Sequence, residues 1–342
     1  MTTEPFSLER LETNLGSQIA ADLVVVEQKL LQAATTSDPF ISEVASHLAQ
    51  AGGKRLRPML CLIAGQLGHP TAALLDAAVV VEITHLATLY HDDVMDEAVK
   101  RRGADSVNSR WNNTIAILTG DFLFAKASQI LANLGPDAVL LQAETFERLV
   151  SGQIHETVGP DNDVNQIHHY LQVLSDKTGS LIATSARFGG MFSGLPSDAL
   201  QALSAYGEAL GVAFQIADDI LDISSESSES GKTPGTDLRE GILTLPMMFV
   251  LNTNKPEDKE LIALLGKPLT DDETQQAIML LRKHDAIQEA RAEAEKYIAI
   301  AKQQVVKLRE IALIQSEGFG PQSPSALEAL DLIANSVLDR RV

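Results

Sequence analysis

The stretch LYHDDVMDEA, Leu89 to Ala98, and its echo FQIADDILDI, Phe214 to Ile223, decide how this chain is read. Each carries an aspartate pair with a third aspartate three residues on: Asp92, Asp93 and Asp96 in the first, Asp218, Asp219 and Asp222 in the second. On a helix this spacing projects the first and last carboxylates from one face a single turn apart, so each triplet offers oxygen ligands to a hard cation such as Mg²⁺. The flanking residues are apolar, with Ile83, Leu86 and Leu89 before one triplet and Phe214, Ile216, Ile220 and Leu221 around the other. Both sets are therefore expected along a cavity wall, where three acids repel one another unless a cation neutralises them. One triplet alone reads better as a solvated acidic helix face. A second copy with identical spacing reverses that reading and predicts two helices facing each other across a metal cage.

Outward from these two helices the pattern stays helical. Leu8, Leu11, Leu15, Ile19, Leu23 and Leu30 recur at helical steps until Thr36, Ser37, Asp38 and Pro39 stop one helix and start the next. Gly52 and Gly53 end the second helix, and His69, Pro70 and Thr71 open a long one running to about Glu97. Gly103, Gly135-Pro136, Gly159-Pro160, Gly194-Leu195-Pro196 and Lys255-Pro256 divide the remainder. Period-two alternation of useful length is absent, which predicts almost no strand. A hydrophobic content of 45% with only 4% aromatics fits aliphatic packing between helices, so the fold class is all-α. The polar segment Ser224 to Gly241, SSESSESGKTPGTDLREG, is too long for an ordinary connection, and directly after an acidic triplet it reads as a mobile active-site loop. No Pro/Gly-rich linker separates two halves, and the acidic helices must cooperate, so residues 1–342 are expected to form a single domain.

With 27 Lys and Arg against 46 Asp and Glu, the net charge of -19 argues against a nucleic-acid partner or a general binder of anionic membranes. An anionic ligand would have to be held by local basic clusters and by metals. The lone Cys61 excludes an intramolecular disulfide framework and fits a reducing cytoplasm, with a buried thiol as its default role. MTTEPFSLERLE lacks the basic start and apolar run of a signal peptide, and Asp76, Glu82 and His85 interrupt the apolar stretch from Ala72 to Leu89. A soluble cytoplasmic protein without an integral membrane segment is expected.

Local basic clusters do exist. Gly52-Gly53-Lys54-Arg55-Leu56-Arg57-Pro58 places three cations within four positions at a helix junction, where backbone N–H groups and cationic side chains can converge on phosphate oxygens. Lys100, Arg101 and Arg102 follow the first triplet within two turns. Lys177-Thr178-Gly179 and Gln215 add candidate donors, and Lys232 lies in the loop after the second triplet. His85 sits two turns before Asp92 on the same helix face. Each of these alone is an ordinary surface cation or core histidine. Together they describe metals flanked by cations, the arrangement needed to bind and ionise diphosphate esters.

GGKRLRP, THLATLYHDDVMDEAVKRRG, KTG, FQIADDILD and GKTPGTDLREGILTLP occur in this order between Gly52 and Pro246, and the chain there resembles the trans-isoprenyl diphosphate synthases. Outside that span, the first helices and the region beyond Asn254 are similar only in being helical. The resemblance implies a single-domain isoprenoid-synthase-type helical bundle around a central active-site cavity, and a homodimer. It implies that Asp92, Asp96 and Asp218 hold Mg²⁺, three ions to a site, on an allylic diphosphate, with Asp93, Asp219 and Asp222 assisting. Lys54, Arg57, His85 and Arg102 would bind the diphosphate of isopentenyl diphosphate. Arg101, Lys177, Thr178, Gln215 and Lys232 would contact the allylic diphosphate, Lys177 counting with the three principal aspartates as catalytic. One departure stands out: the family carries lysine after Glu-Gly in its last motif, and this chain has Ile242, so one cationic contact is missing or supplied by Arg239.

Such an enzyme would join isopentenyl diphosphate to allylic diphosphates, making a linear polyprenyl diphosphate. Product length should follow how deep the tail runs along the first acidic helix, past Thr88, Ala87, Thr84 and Val81. In the resembling family, bulky aromatics at the positions of Ala87 and Thr88 stop growth at the farnesyl stage. Both are small here, which predicts a heptaprenyl to nonaprenyl product suited to a quinone side chain, with geranylgeranyl as the alternative and transient membrane contact on release. Tyr90 should point about 160° away from Asp92 and leave the tunnel open. A terpene cyclase fits less well, since it has no need of GGKRLRP and 4% aromatics leaves few rings to guide a cyclising cation. A noncatalytic synthase subunit fits less well again, because both triplets are intact.

Overall fold

The computed structural model describes residues 8–160, 164–224, 234–253 and 255–338. Lys232 and most of the expected mobile loop lie outside the described residues. The described chain is helical almost throughout: α1 Thr13–Ala34, α2 Pro39–Gln50, α3 Leu56–Gly65, α4 Ala73–Met95, a short α5 Val107–Arg110, α6 Asn113–Leu134 and α7 Pro136–Val158. There follow α8 Gln166–Leu174, α9 Ser180–Met191, α10 Ser197–Ser224, α11 Thr236–Glu240, α12 Leu245–Thr253, α13 Lys259–Ile262, α14 Asp271–Leu281, α15 Ala286–Ile314 and α16 Ser323–Ser336. The boundaries around α2 and those at Gly135-Pro136 and Gly159 fall where the punctuation put them. Asp38 accepts the N–H groups of Phe40 and Ile41, with Pro39 in the first turn, and Gly52 leaves α2 at φ 87°.

The packing centres on α4, which is apolar nearly all round and buried from Ala77 through Tyr90 apart from its partly open cavity side at His85 and Leu89. It lies against α3, α6 and α9, while α10 runs between α9 and α15. The two acidic helices thus approach each other across the bundle, as the paired triplets require. A satellite core of Ile223, Leu238, Met247, Val250 and Leu281 gathers α11 to α14 beside the end of α10. Tyr90 is buried off the cavity lining and reaches α2, its hydroxyl donating to Val44 O at 2.7 Å. Among the described residues two helices, α4 and α6, are long and apolar enough to cross a membrane by length and composition. The apolar window of α4 is 72% buried inside the bundle and that of α6 only 33%.

Two local structures depart from the sequence reading. Lys100 to Arg102 does not continue a helix but enters a small hairpin, β1 Lys100–Arg101 paired with β2 Ala104–Asp105, turned by Arg102 at φ 54° and Gly103 at φ 79°. The segment ending at Gly241 is not irregular to its end. After Gly235 at φ 80°, Thr236–Glu240 forms α11, whose first N–H groups, those of Thr236 and Asp237, are satisfied by the Asp222 carboxylate at 3.2 Å each.

Candidate active site

A cavity of about 380 Å³ opens between α4, α7, α9, α10 and the start of α3. One wall carries His85, Thr88, Leu89 and Asp92 from α4; the facing wall carries Phe214, Gln215 and Asp218 from α10. Lys54, Arg57, Arg101 and Arg102 close one side, Lys177 and Thr178 another, and Leu149, Leu181 and Ile182 form the apolar floor. Ten of the expected diphosphate and metal residues therefore share one enclosure, and Thr88 of the chain-length set joins them.

The cationic side is built on a buried anion that the sequence reading passed over. Glu82, 2% exposed, accepts from Arg55 Nη1 at 2.9 Å and lies 3.7 Å from Arg102 Nη2. Arg55 is further held by both carboxylate oxygens of Glu27 at 2.8 and 2.9 Å and by Ala49 O at 2.8 Å, so it is a clamp for the GGKRLRP turn. Arg102 donates to Leu48 O at 3.2 Å and to Gly52 O, tying the hairpin to the same turn. Arg55 at φ 48° and Arg102 both hold left-handed backbone, a costly state for side chains with a Cβ that the surrounding ion pairs enforce. Arg57 Nε is buried and has no hydrogen-bond partner. Burial, with the nearby Arg102 charge, brings the Arg57 guanidinium down to about 10. His85 is pushed well below its usual range by burial and then by Arg57, Arg102, Arg101 and Arg55, so near neutral pH it is uncharged. A buried donor in want of an acceptor, beside an imidazolium suppressed by converging cations, is the chemistry of an anion site.

The acidic side divides its six carboxylates. Asp92 and Asp218 line the cavity from opposite walls. Asp96, just past the end of α4 and 57% exposed, stands 3.8 Å from Arg101. Asp93 turns inward to Arg101 Nε at 2.5 Å, and its Oδ2 has no partner. Asp219 is buried, accepting from the Tyr170 hydroxyl and from Gln215 Nε2 at 3.2 Å, and Asp222 caps α11. Accordingly, among the described residues no three acidic or histidine side chains are gathered as a ready metal cage. Burial raises the Asp92 carboxyl to about 6, the Lys177 ammonium opposing that rise and Asp96 adding to it. Burial likewise raises Asp219 to about 8. The raised Asp92, facing Asp218 across an enclosed space, fits the donor set of a hard cation.

Lys177 and Thr178 are carried on a π-turn, Ser175–Gly179, between α8 and α9, which brings both into the cavity. Arg148 holds the turn from outside, donating to Asp176 at 2.8 Å, Ser175 Oγ at 3.1 Å and Glu208 at 2.9 Å. The turn is seated so closely that a Cβ on Gly152 would lie 2.7 Å from Lys177 N, and one on Gly211 would lie 2.7 Å from Gly179 Cα. The ammonium of Lys177 meets Glu156.

Of the chain-length positions, Ala87, Thr84 and Val81 are fully buried and do not line the cavity. Ile242 is 48% exposed. Arg239, the candidate substitute for the family's lysine, donates to Asp271 at 3.0 Å and Pro234 O at 2.8 Å and lies off the cavity lining, so it does not fill that role as it stands.

Known proteins resemble this chain in sequence and in fold. The family profile described as Polyprenyl synthetase matches residues 38–281. The nonaprenyl diphosphate synthase of Mycobacterium tuberculosis is 47% identical over 299 residues, 86% of this chain and 89% of that protein. The crystal structure of geranylgeranyl pyrophosphate synthase from Corynebacterium glutamicum, complexed with calcium and isoprenyl diphosphate, superposes with a TM-score of 0.82 at 41% identity, covering 96% of this chain and 98% of the other. A polyprenyl synthase from Caulobacter crescentus, likewise complexed with calcium and isoprenyl diphosphate, gives 0.85 at 29% identity over 99% of both chains. The likeness thus extends well beyond Gly52 to Pro246, through the first helices and past Asn254.

Proposed function

We propose a long linear product for this protein, which belongs to the polyprenyl synthetase family and is a chain-elongating trans-prenyltransferase. Its substrates would be isopentenyl diphosphate and an allylic prenyl diphosphate, and its product a heptaprenyl to nonaprenyl diphosphate. The observation that carries this reading is one enclosure with two anion-binding faces. Arg57, Arg101 and Arg102 close one side and Lys177 and Thr178 another, with Asp92 and His85 on one wall and Asp218 on the facing one, above an apolar floor.

Asp92, Asp96 and Asp218 would hold Mg²⁺, with Asp93, Asp219 and Asp222 able to turn toward it only by leaving Arg101, Tyr170 and the start of α11. When bound, the metal supplies positive charge to the allylic diphosphate as its C–O bond breaks. Lys177, Thr178, Gln215 and Arg101 orient that diphosphate, while Lys54, Arg57, neutral His85 and Arg102 fix the second one. The double bond of isopentenyl diphosphate then meets the allylic cation, and a proton leaves to the departed diphosphate. Leu89, Leu149, Leu181, Ile182 and Phe214 keep water from the cation below the charged rim.

A homodimer is supported by the surface. The outer sides of α6 and α7 expose Ile117, Leu118, Val139, Leu140, Ile154 and Val158, an apolar area that a second copy would cover. The buried Cys61, its thiol pushed far up by burial, supports a structural thiol and a cytoplasmic setting. A geranylgeranyl product is the second reading, favoured by the likeness to the Corynebacterium enzyme. The test is purified protein with Mg²⁺, isopentenyl diphosphate and farnesyl diphosphate. Linear products beyond geranylgeranyl support the proposal, arrest there supports the second reading, and cyclic hydrocarbons or no product refute elongation.

A further inference from the structure

Directly below the cavity floor the helix faces that form it become polar. Thr88 on α4, Leu149 on α7 and Leu181 on α9 belong to the lining. One or two turns deeper on the same faces stand Thr84, then Thr145 and Gln142, then Thr184, all buried within an aliphatic core. They are joined across the bundle. Gln142 Nε2 donates to Thr84 Oγ1 at 3.0 Å, linking α7 to α4. Thr145 Oγ1 donates to Leu141 O at 2.7 Å, so the 2.5 Å contact between Thr145 and Thr184 is a bond from the Thr184 hydroxyl, linking α7 to α9. Gln142 is 7% exposed, and its Oε1 is buried with no hydrogen-bond partner.

We propose that Gln142, with Thr84, Thr145 and Thr184, forms a polar gate across the path of the growing tail that divides short products from long ones. This rests on the elongation reading above. Thr84 lies eight residues before Asp92, about 12 Å along α4. An isoprene unit has four chain bonds of ~1.5 Å and advances a zigzag tail by roughly 5 Å, so a two-unit tail stops short of the gate and a three-unit, farnesyl-sized tail is the first to meet it. To pass, it must break both interhelical hydrogen bonds and lay hydrocarbon against the amide and hydroxyl groups it has stranded. The unpaired Gln142 carbonyl weakens the closed gate by comparison with a fully satisfied network. Growth should pause there and then continue.

The test compares dephosphorylated products of wild type and gate variants by chromatography, at limiting and at saturating isopentenyl diphosphate. Wild type is expected to accumulate farnesyl-sized intermediates when isopentenyl diphosphate is limiting. Gln142→Leu should reduce that accumulation at least threefold and lengthen the end product by one or more units, while Gln142→Phe should shorten it. The first condensation on geranyl diphosphate should proceed within twofold of wild type in each. Thr145→Val combined with Thr184→Val keeps side-chain shape, removes the second pair and should act like Gln142→Leu, so the proposal stays testable if one variant fails to fold. An unchanged product distribution in folded variants that still perform the first condensation overturns the gate and leaves elongation standing. Absence of any linear product from wild type overturns elongation, and the gate with it.

Discussion

Asp92→Asn separates the cost of the metal site to the fold from its value to the reaction. The Asp92 carboxyl titrates near 6 instead of the ordinary 3.8, chiefly through burial. Between those two values the folded chain binds more protons than the unfolded one, so stability is lost as pH rises through that window, and the full penalty stands above about 7. A displacement of about two pH units corresponds to ~3 kcal/mol as an upper figure, and because the side chain is partly open to solvent, roughly 1 to 3 kcal/mol is the expected penalty. Asparagine has the same size and no charge. In EDTA at pH 8 the variant should therefore melt higher than wild type by about 1 to 4 °C, taking an unfolding entropy of ~0.7 kcal/mol per kelvin for a chain of this length. At pH 4 the gain should vanish. Thermal unfolding followed by circular dichroism at the two pH values measures this, and a steady-state assay with Mg²⁺ should show turnover below about a tenth of wild type. A variant less stable than wild type at pH 8 without metal, or stabilised equally at pH 4, would refute the assignment of an uncompensated charge. Retained turnover would refute the metal role.

Three further outcomes are expected. Arg57→Ala or Arg102→Ala should raise the KM for isopentenyl diphosphate more than that for the allylic substrate, and Lys177→Ala the reverse, each lost contact weakening binding by roughly 1.5 to 3 kcal/mol; equal effects on both substrates would sink the two-face assignment. Ile242→Lys should leave the melting temperature unchanged, because the side chain is 48% exposed, and should lower the allylic KM if the position faces the diphosphate; lost stability with an unchanged KM would identify a packing residue instead. Ala87→Phe should shorten the dominant product by at least one isoprene unit without abolishing the first condensation, at about 1 to 3 kcal/mol in stability from overpacking a fully buried site. An unchanged product length there would dismiss α4 as the ruler.

What was legible in the sequence was whatever a helix period or a motif enforces. The spacing of Asp92 and Asp218, the cations of Lys54 to Arg57 and the pair Lys177-Thr178 converge because the helices that carry them have no other way to bury their apolar faces. The division of labour among the acids was not legible. Asp93, Asp219 and Asp222 look identical to their neighbours in sequence, and only the positions of Arg101, Tyr170 and α11 decide which way each turns. The hairpin after Lys100 and the π-turn at Ser175 depend on tertiary anchors, Gly52 O for one and Arg148 for the other, that no local pattern encodes. Glu82 did leave a sign, as the lone acid in AAVVVEIT, but it read as an interruption of an apolar run and not as the base of the cationic wall.

That base has a kinetic consequence. Glu82 cancels some of the local positive charge, and the whole molecule carries a net charge of -19, so an incoming diphosphate is repelled at long range and attracted only at the last few ångströms. Added salt screens the repulsion over distances beyond about 10 Å at 0.1 M, while contacts inside the enclosure are screened far less. Substrate capture should therefore quicken as ionic strength rises toward physiological values and release should hardly change. That is the opposite of a cleft that steers its anion with a positive field.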